Sequence, residues 1–170
     1  IVEKFATFVA NGEVDTELVT IESEHTAMSG CVGAAAAGAR VMNATAANGL
    51  ALMFEILCVA SGMRLPLVLC VANRPISSPL NIHGDHSDAL GCREAGWIQL
   101  FSETVQEVYD NMFQAVKIAE HPDVRTPVMV NMDGFQTSHC AENMVIEPDE
   151  MMKKFVGEFN PPYTTLLDVD

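Results

Sequence analysis

The stretch that decides the fold runs from Leu18 to Arg40 and has the sequence LVTIESEHTAMSGCVGAAAAGAR. Its apolar start predicts a buried strand over Leu18–Glu22, and the glycines, alanines and serines that follow predict a helix over His25–Ala39. Because this helix has few bulky side chains, other backbones or a flat ligand can approach it closely. Glu24 lies in the turn between strand and helix, where open α/β sheets bind their ligands.

Alternation of strands and helices continues along the rest of the chain. Further strands are predicted over Arg40–Thr45, Pro66–Ala72, Trp97–Phe101 and Thr126–Met132, and Pro66–Ala72 is a continuous apolar run. Such runs are expected where both faces of a parallel sheet are covered. Helices are predicted between the strands, among them a single buried helix over the strongly apolar segment Leu50–Ser61, ended by Gly62. The pattern predicts an α/β fold with a doubly wound, mostly parallel sheet and helices on both faces.

Composition narrows the class of protein. The 170 residues are enough for one domain with a substantial core, and 49% of them are hydrophobic. The net charge of −14 argues against nucleic-acid binding, because phosphates would be repelled. No apolar run approaches the roughly 20 residues of a membrane span. The five cysteines are widely spaced and form no C-x-x-C pair, so neither a zinc knuckle nor a ferredoxin-type cluster motif is present. These features predict a cytoplasmic globular protein.

Two charged residues at predicted strand ends are candidates for chemistry. Glu24, at a helix N-terminus, can share a proton with a ligand nitrogen, or it can simply cap the helix. Arg74 follows the strand over Pro66–Ala72. Its guanidinium can bind a substrate carboxylate through two hydrogen bonds, or it can form a structural salt bridge with an acid of its own loop. The residues alone leave these alternatives open.

A long irregular segment, residues 73–88, contains His83, Asp85, His86 and Asp88. Long loops in compact domains are usually functional. Imidazole and carboxylate groups at this spacing can ligate a metal, which would make the protein a metal-dependent hydrolase. Glycine, serine and aspartate are also ordinary turn residues, so a plain loop is the alternative. No G-x-G-x-x-G or P-loop pattern is present, and a nucleotide site is not expected.

Several segments together resemble one enzyme family. They are Glu22-Ser-Glu24 with Gly30, Gly33 and Gly38; Thr45-Ala-Ala-Asn-Gly49; Ser61-Gly-Met-Arg-Leu-Pro66; Ala72-Asn-Arg74; Asn81-Ile-His-Gly-Asp-His-Ser-Asp88; Ala95-Gly-Trp-Ile-Gln99; and Asp133-Gly-Phe-Gln-Thr-Ser-His139. Over roughly residues 18–148 the chain is similar to the α subunit, or the corresponding N-terminal domain, of the pyruvate:ferredoxin oxidoreductase (pyruvate synthase) family of 2-oxoacid oxidoreductases.

This resemblance implies a thiamine-diphosphate-dependent enzyme that oxidatively decarboxylates a 2-oxoacid to an acyl-CoA and CO2, or runs the reverse reaction, and exchanges electrons with ferredoxin. Pyruvate is the default substrate. The domain of the family that is similar to this chain binds the aminopyrimidine end of the cofactor. By the resemblance, Glu24 hydrogen-bonds the pyrimidine ring nitrogen, which the cofactor needs in order to become a nucleophile. Arg74 is implied to bind the carboxylate of the 2-oxoacid.

The resemblance also implies supporting roles for other positions. Asn48 and Gly49 are expected to contact the cofactor, and His83, Asp85 and His86 are expected in an active-site loop. No metal is expected to be bound by that loop.

The chain lacks some motifs of the family, which implies that partner chains carry them. These are the diphosphate-binding motif with its Mg²⁺ ligands and the cysteines of the [4Fe-4S] clusters. A Tyr-Pro-Ile-Thr-Pro-type segment, which in the family precedes this region, is also absent and is expected to belong to a missing start of the domain. Coenzyme A is implied as co-substrate, and other subunits and ferredoxin as partners. Residues 1–146 are expected to form the pyrimidine-binding domain without its start. Residues 147–170, which are acidic and contain prolines, are expected to be a linker towards a following domain.

Two further interpretations remain beside this one. The same family includes enzymes for branched-chain 2-oxoacids, 2-oxoglutarate, oxalate and aryl glyoxylates, and the residues do not discriminate among them. A non-catalytic assembly subunit would keep the fold without the chemistry. The presence of both Glu24 and Arg74 argues for the enzyme.

Overall fold

The computed structural model describes residues 2–77, 81 and 83–168. Its helices are α1 (Val2–Ala10), α2 (Glu24–Ala36), α3 (Ala47–Leu52), α4 (Phe54–Gly62), α5 (Ser87–Gly91), α6 (Val105–Ala119) and α7 (Asp149–Val156), with a short 3-10 helix over Arg93–Ala95. Its strands are β1 (Met42–Thr45), β2 (Val68–Asn73), β3 (Ile98–Ser102) and β4 (Val128–Asp133). Within the described ranges, no helix is both long and apolar enough to cross a bilayer.

The four strands form one parallel sheet in the order β1-β2-β4-β3. Strands β2 and β4 lie in the middle, with Val71 opposite Asn131 and Asn73 opposite Asp133. Because all four strands run in the same direction, their carboxyl ends lie along one edge of the sheet. The predicted α/β class with a parallel sheet is confirmed.

Helices cover both faces of this sheet. Leu69 and Val71 of β2 pack on one face, in a cluster that includes residues of α2 and α4. Val68 of the same strand packs on the other face, where Ala115 and Ala119 let α6 approach closely. Side chains of a strand alternate between the two faces, so a strand covered on both is apolar throughout. This explains the continuous apolar run at β2 and confirms the doubly wound arrangement.

The predicted strand over Leu18–Glu22 is wrong, because in the part of the chain that is described this segment joins no sheet. A groove of about 940 Å³ is lined by Leu18 and Val19 together with Val41 and Met42 of the β1 edge. Val19 remains 73% exposed. Apolar composition favours an extended backbone, but a strand also needs a neighbouring backbone to satisfy its hydrogen bonds.

The apolar segment Leu50–Ser61 forms two helices instead of the single one predicted. Helix α3 begins earlier, at Ala47, and ends before Met53, and α4 begins at Phe54. Met53 is 1% exposed, so the junction lies in the core. A segment that is apolar on all sides carries no periodicity from which such a break could be predicted.

The described part of residues 147–170 packs on the rest of the fold, and the assignment of this segment as a linker towards a following domain stays a prediction. Helix α7 occupies Asp149–Val156 and contacts α6. Further along, the Tyr163 hydroxyl donates a hydrogen bond to the Ala35 carbonyl at 2.7 Å, and the Leu166 N–H donates to Ala36 at 2.9 Å. The tail therefore packs on the C-terminal end of α2. It gives the Ala36 carbonyl a partner and adds a second donor to the Ala35 carbonyl, which also accepts the Gly38 N–H.

Candidate functional site

A cleft of about 300 Å³ lies where the carboxyl ends of β1 and β2 meet the N-terminus of α2. Its lining includes Glu24, Asn48, Gly49 and Arg74, which are far apart in sequence. The structure thus brings together the four residues with predicted cofactor or substrate roles. Parallel strands explain this arrangement, because the loops that follow their carboxyl ends converge at a single edge.

Glu24 is the first residue of α2, but the residue that caps this helix is Ser23. Ser23 has extended backbone angles, and its hydroxyl accepts a hydrogen bond from the Thr26 N–H at 3.3 Å. The neighbouring acid, Glu22, accepts a hydrogen bond from the Thr26 hydroxyl at 3.0 Å. A backbone hydrogen bond and then this hydroxyl lower the pKa of Glu22. Within the described residues, no group donates a hydrogen bond to the Glu24 carboxylate, which remains available for a ligand.

Gly49 provides the space that the Glu24 side chain occupies. A Cβ atom at this position would lie 2.5 Å from Thr45 Oγ1, 3.0 Å from Glu24 Cγ and 3.1 Å from Glu24 Oε1. Glu24 therefore packs directly on the backbone at the start of α3. The adjacent Asn48 accepts a hydrogen bond from the Ser77 hydroxyl at 3.1 Å, which connects α3 to the loop after β2.

Arg74 is the first residue after β2, and its side chain lines the same cleft. Its backbone N–H donates a hydrogen bond to Asp88 Oδ2 at 3.1 Å. None of the acids in the described ranges lies within salt-bridge distance of its guanidinium. The alternative of a structural ion pair in the same loop is thus absent from residues 2–77, 81 and 83–168. An exposed guanidinium beside an unbonded carboxylate suits a ligand that carries both a basic nitrogen and an acidic group.

His83, Asp85 and His86 lie outside this cleft. The ring of His83 meets Phe135 edge-on at 5.6 Å, and His86 lies 5.6 Å from the ring of Phe101. Asp85 accepts a hydrogen bond from the Ser87 N–H, and hydrogen bonds from Ser87 lower the pKa of Asp85. These side chains point to separate surroundings. In the part of the chain that the structure describes, no three His, Cys, Asp or Glu side chains are placed to hold a metal ion.

The residue that sequence reasoning missed is Asp88, which was considered only as a loop residue or metal ligand. Its side chain is 1% exposed, and its carboxylate accepts hydrogen bonds from Ala47, Asn73 and Arg74. Two of these donors are backbone N–H groups, which any residue type would supply. The sequence therefore carries no pattern that could have identified the role of Asp88.

Comparison with known proteins points to one family. A family model described as pyruvate flavodoxin/ferredoxin oxidoreductase, thiamine-diphosphate-binding, matches residues 1–169. The chain is 61% identical over all its 170 residues to the pyruvate synthase subunit PorA of Thermotoga maritima, of which it spans 43%. It is 44% identical over 164 residues, 96% of its length, to the ketoisovalerate oxidoreductase subunit VorA of Pyrococcus horikoshii, of which it spans 41%. The chain thus spans less than half the length of these curated relatives.

Among solved structures, the 2-oxoglutarate:ferredoxin oxidoreductase from Magnetococcus marinus, with 2-oxoglutarate, coenzyme A and succinyl-CoA bound, is similar to the chain with a TM-score of 0.66. The two are 29% identical, and the match covers 78% of this chain and 24% of that one. The fold is therefore that of a domain in an enzyme acting on a 2-oxoacid.

Proposed function

Because this chain belongs to the pyruvate flavodoxin/ferredoxin oxidoreductase family of thiamine-diphosphate-binding domains, we propose that it forms the pyrimidine- and substrate-binding part of a 2-oxoacid:ferredoxin oxidoreductase. The observation that carries this proposal is the single cleft that Glu24 and Arg74 share. The proposed reaction converts a 2-oxoacid, coenzyme A and oxidised ferredoxin into an acyl-CoA, CO2 and reduced ferredoxin, or runs in reverse.

The residues of the cleft fit the aminopyrimidine end of thiamine diphosphate. Gly49 lets the Glu24 side chain lie directly on the backbone of α3, and Glu24 still lines the cleft, where a flat ring can approach its carboxylate. Asn48 adds an amide group to the same wall. When bound, the cofactor supplies the carbanion stabilisation that decarboxylation of a 2-oxoacid requires.

Glu24 is assigned the role of holding a proton at the pyrimidine ring nitrogen. A carboxylate can accept a hydrogen bond from a protonated ring nitrogen and can also share that proton. The amide of a glutamine has almost the same shape but cannot take up the proton. This difference gives a test that changes the chemistry of the site with little change in its packing.

Arg74 is assigned the role of binding the carboxylate of the 2-oxoacid. A guanidinium can bind a carboxylate through two parallel hydrogen bonds, which fixes orientation as well as charge. Pyruvate is the proposed substrate. The 61% identity to a pyruvate synthase subunit, over all 170 residues of the chain, supports this choice. Ketoisovalerate is an alternative substrate, because the chain is 44% identical to the ketoisovalerate oxidoreductase subunit of Pyrococcus horikoshii. Other 2-oxoacids are further alternatives.

Partner chains are proposed to complete the enzyme. They would hold the cofactor diphosphate with Mg²⁺ and the [4Fe-4S] clusters, while coenzyme A and ferredoxin act as co-substrate and electron carrier. The absence of a C-x-x-C pair from the sequence supports this division. The cleft is open to solvent, which is consistent with an active site at a subunit interface. Location in the cytoplasm is part of the same proposal. The boundary of the pyrimidine-binding domain near residue 146 remains part of the proposal, as does the assignment of His83, Asp85 and His86 to a loop beside the active site or a neighbouring subunit.

The test is 2-oxoacid-dependent reduction of a viologen dye by the intact complex, with coenzyme A present. Wild type is compared with Glu24→Gln and with Glu22→Gln across pyruvate, 2-oxoisovalerate and 2-oxoglutarate. Glu22 is a matched control, because it lies in the same turn but is hydrogen-bonded to Thr26. We expect Glu24→Gln to lose about a hundredfold or more in turnover, the scale of a lost proton-transfer group. Glu22→Gln should retain its activity.

Complex assembly and thermal midpoint are measured alongside turnover. Loss of turnover in an assembled Glu24→Gln complex supports the assigned role, and the best wild-type substrate identifies the specificity. Full turnover in Glu24→Gln would contradict the role. Absence of any 2-oxoacid activity in the wild-type complex would favour the alternative of a non-catalytic assembly subunit.

A further inference from the structure

Asp88 carries a buried carboxylate that the proposed chemistry does not use. Its Oδ2 accepts hydrogen bonds from the N–H groups of Ala47 at 3.0 Å and Arg74 at 3.1 Å. Its Oδ1 accepts hydrogen bonds from Asn73 Nδ2 at 3.0 Å and from the Ala89 N–H at 2.7 Å. All four partners are donors, so the two oxygens of the Asp88 carboxylate accept two hydrogen bonds each.

These hydrogen bonds connect the two sides of the cleft. Ala47 precedes Asn48 and Gly49, the backbone on which Glu24 packs. Arg74 stands on the other side, at the carboxyl end of β2. One oxygen atom therefore fixes the position of the backbone under the Glu24 side chain and that of the residue assigned to the substrate.

The backbone at Ala47 needs such support. Its φ angle is +44°, a strained left-handed conformation that non-glycine residues rarely adopt. Ala46, which precedes α3, makes no side-chain cap hydrogen bond. The Asp88 carboxylate accepts the Ala47 N–H from 41 residues further along the chain. It thus replaces the missing local cap and holds the strained turn in place.

We propose that Asp88 is the positioning residue of this active site and fixes the positions of Glu24 and Arg74 relative to one another. This inference rests on the proposed function of the cleft. Asp88 touches neither substrate nor cofactor. It acts on the cofactor side through the backbone at Ala47 and on the substrate side through the backbone at Arg74.

The test uses Asp88→Asn in the intact complex. An asparagine has one oxygen and one NH2 group in place of the two carboxylate oxygens. Its NH2 group must therefore face the two N–H donors that bind either Oδ1 or Oδ2 in the wild type, and those hydrogen bonds are lost. Two quantities are measured: the Kd of thiamine diphosphate for the apo-complex with Mg²⁺, by titration calorimetry, and the KM of the best 2-oxoacid. We expect each to rise by about fivefold or more, within the range found for coupled contacts.

Double variants separate positioning from general loss of stability. If Asp88 acts through Arg74, Asp88→Asn should raise KM no further in an Arg74→Ala background. If Asp88 acts through the backbone at residues 47–49, on which Glu24 packs, then Asp88→Asn should raise the cofactor Kd no further in a Glu24→Gln background. Independent, multiplying effects would overturn the inference, as would a lower thermal midpoint with Kd and KM unchanged. The Kd measurement needs no turnover, so it remains informative even if the proposed reaction fails.

Two further variants complete the design. Asn73→Ala removes one donor to Asp88 but leaves both backbone contacts of Oδ2, so it serves if Asp88→Asn does not assemble. Asn73→Ala should raise Kd and KM by smaller factors than Asp88→Asn. It should also raise KM no further in the Arg74→Ala background and Kd no further in the Glu24→Gln background. Independent effects in these double variants would overturn the inference. Asp168→Asn is the matched control. Asp168 also accepts hydrogen bonds, from the N–H and hydroxyl of Thr165, but lies in the tail beyond α7 and should leave both quantities unchanged.

Discussion

Glu24 packs against Gly49 so closely that a Cβ atom at Gly49 would lie 3.0 Å from Glu24 Cγ. This contact joins the N-terminus of α2 to the first turn of α3, and the same cleft receives Arg74 from the end of β2. Three elements distant in sequence thus contribute one group each: a carboxylate, a bare stretch of backbone and a guanidinium. Predictions follow for each of these contacts.

Gly49→Ala is expected to weaken cofactor binding and to destabilise the fold. The added methyl group would also lie 2.5 Å from Thr45 Oγ1, so Thr45 or Glu24 must move, at a cost of about 1–3 kcal/mol. Calorimetric titration of thiamine diphosphate and the thermal midpoint of the complex measure the two effects. Gly62→Ala is the control, because a Cβ there meets no atom within 4 Å. Equal behaviour of the two variants would show that the contact is not tight.

Gly134→Ala is expected to raise the KM for the 2-oxoacid by a larger factor than the cofactor Kd. A Cβ atom at Gly134 would overlap the Asn73 carbonyl and lie 2.5 Å from Arg74 Cγ, so Arg74 would be displaced. Arg74→Lys should have the same effect, about tenfold or more, through the loss of paired hydrogen bonds. Gly33→Ala, where a Cβ has free space, is the control. A rise in Kd without a rise in KM would place Arg74 on the cofactor side.

Much of this fold was predictable because parallel strands have a strong sequence signal. The buried run at β2 is apolar on both faces, and Arg74 follows its end, so both the strand and its functional neighbour could be predicted. Leu18–Glu22 has similar local composition but no pairing partner among the described residues. Pairing is a property of two segments, and composition describes only one of them.

The candidate site was predictable to the same extent. Charged residues after predicted strands identified Glu24 and Arg74, although the strand predicted before Glu24 is wrong, and the family resemblance added Asn48 and Gly49. Asp88 could not be predicted as a link between them, because two of its donors are backbone groups 41 and 14 residues away in sequence. The position of such donors is known only once the fold is known.

Stability is expected to fall between about pH 9 and about pH 11. Burial raises the pKa of Cys70 and of Cys92 to about 11, from an ordinary value of 9.0. A pKa raised on folding gives stability that is complete below the unfolded value and is lost as the pH rises through the folded value. Each thiol therefore adds a slope of up to about 1.4 kcal/mol per pH unit in this window.

Urea unfolding of the complex at several alkaline pH values measures this slope. A variant carrying both Cys70→Ala and Cys92→Ala should lose stability less steeply than wild type over the same window. Lysine and tyrosine ionisation contributes equally to both proteins and cancels in the difference. Identical slopes would mean that these thiols ionise as readily in the folded state as in the unfolded chain.

Tyr163→Phe is expected to lower the free energy of unfolding by about 0.5–1.5 kcal/mol, the usual value of one hydrogen bond. The Tyr163 hydroxyl donates to the Ala35 carbonyl at 2.7 Å, and its ring lies 5.1 Å from the Arg125 guanidinium. Phenylalanine keeps the ring, so the variant isolates the contribution of the hydroxyl.

Limited proteolysis should also cleave the tail beyond α7 faster in Tyr163→Phe than in wild type, because Tyr163 and Thr165 hold the tail on the C-terminal end of α2. Thr164→Val, which changes an exposed neighbour without a side-chain hydrogen bond in the described structure, is the control. Rapid cleavage of the wild-type tail would contradict this packing and support the prediction that residues 147–170 are a linker.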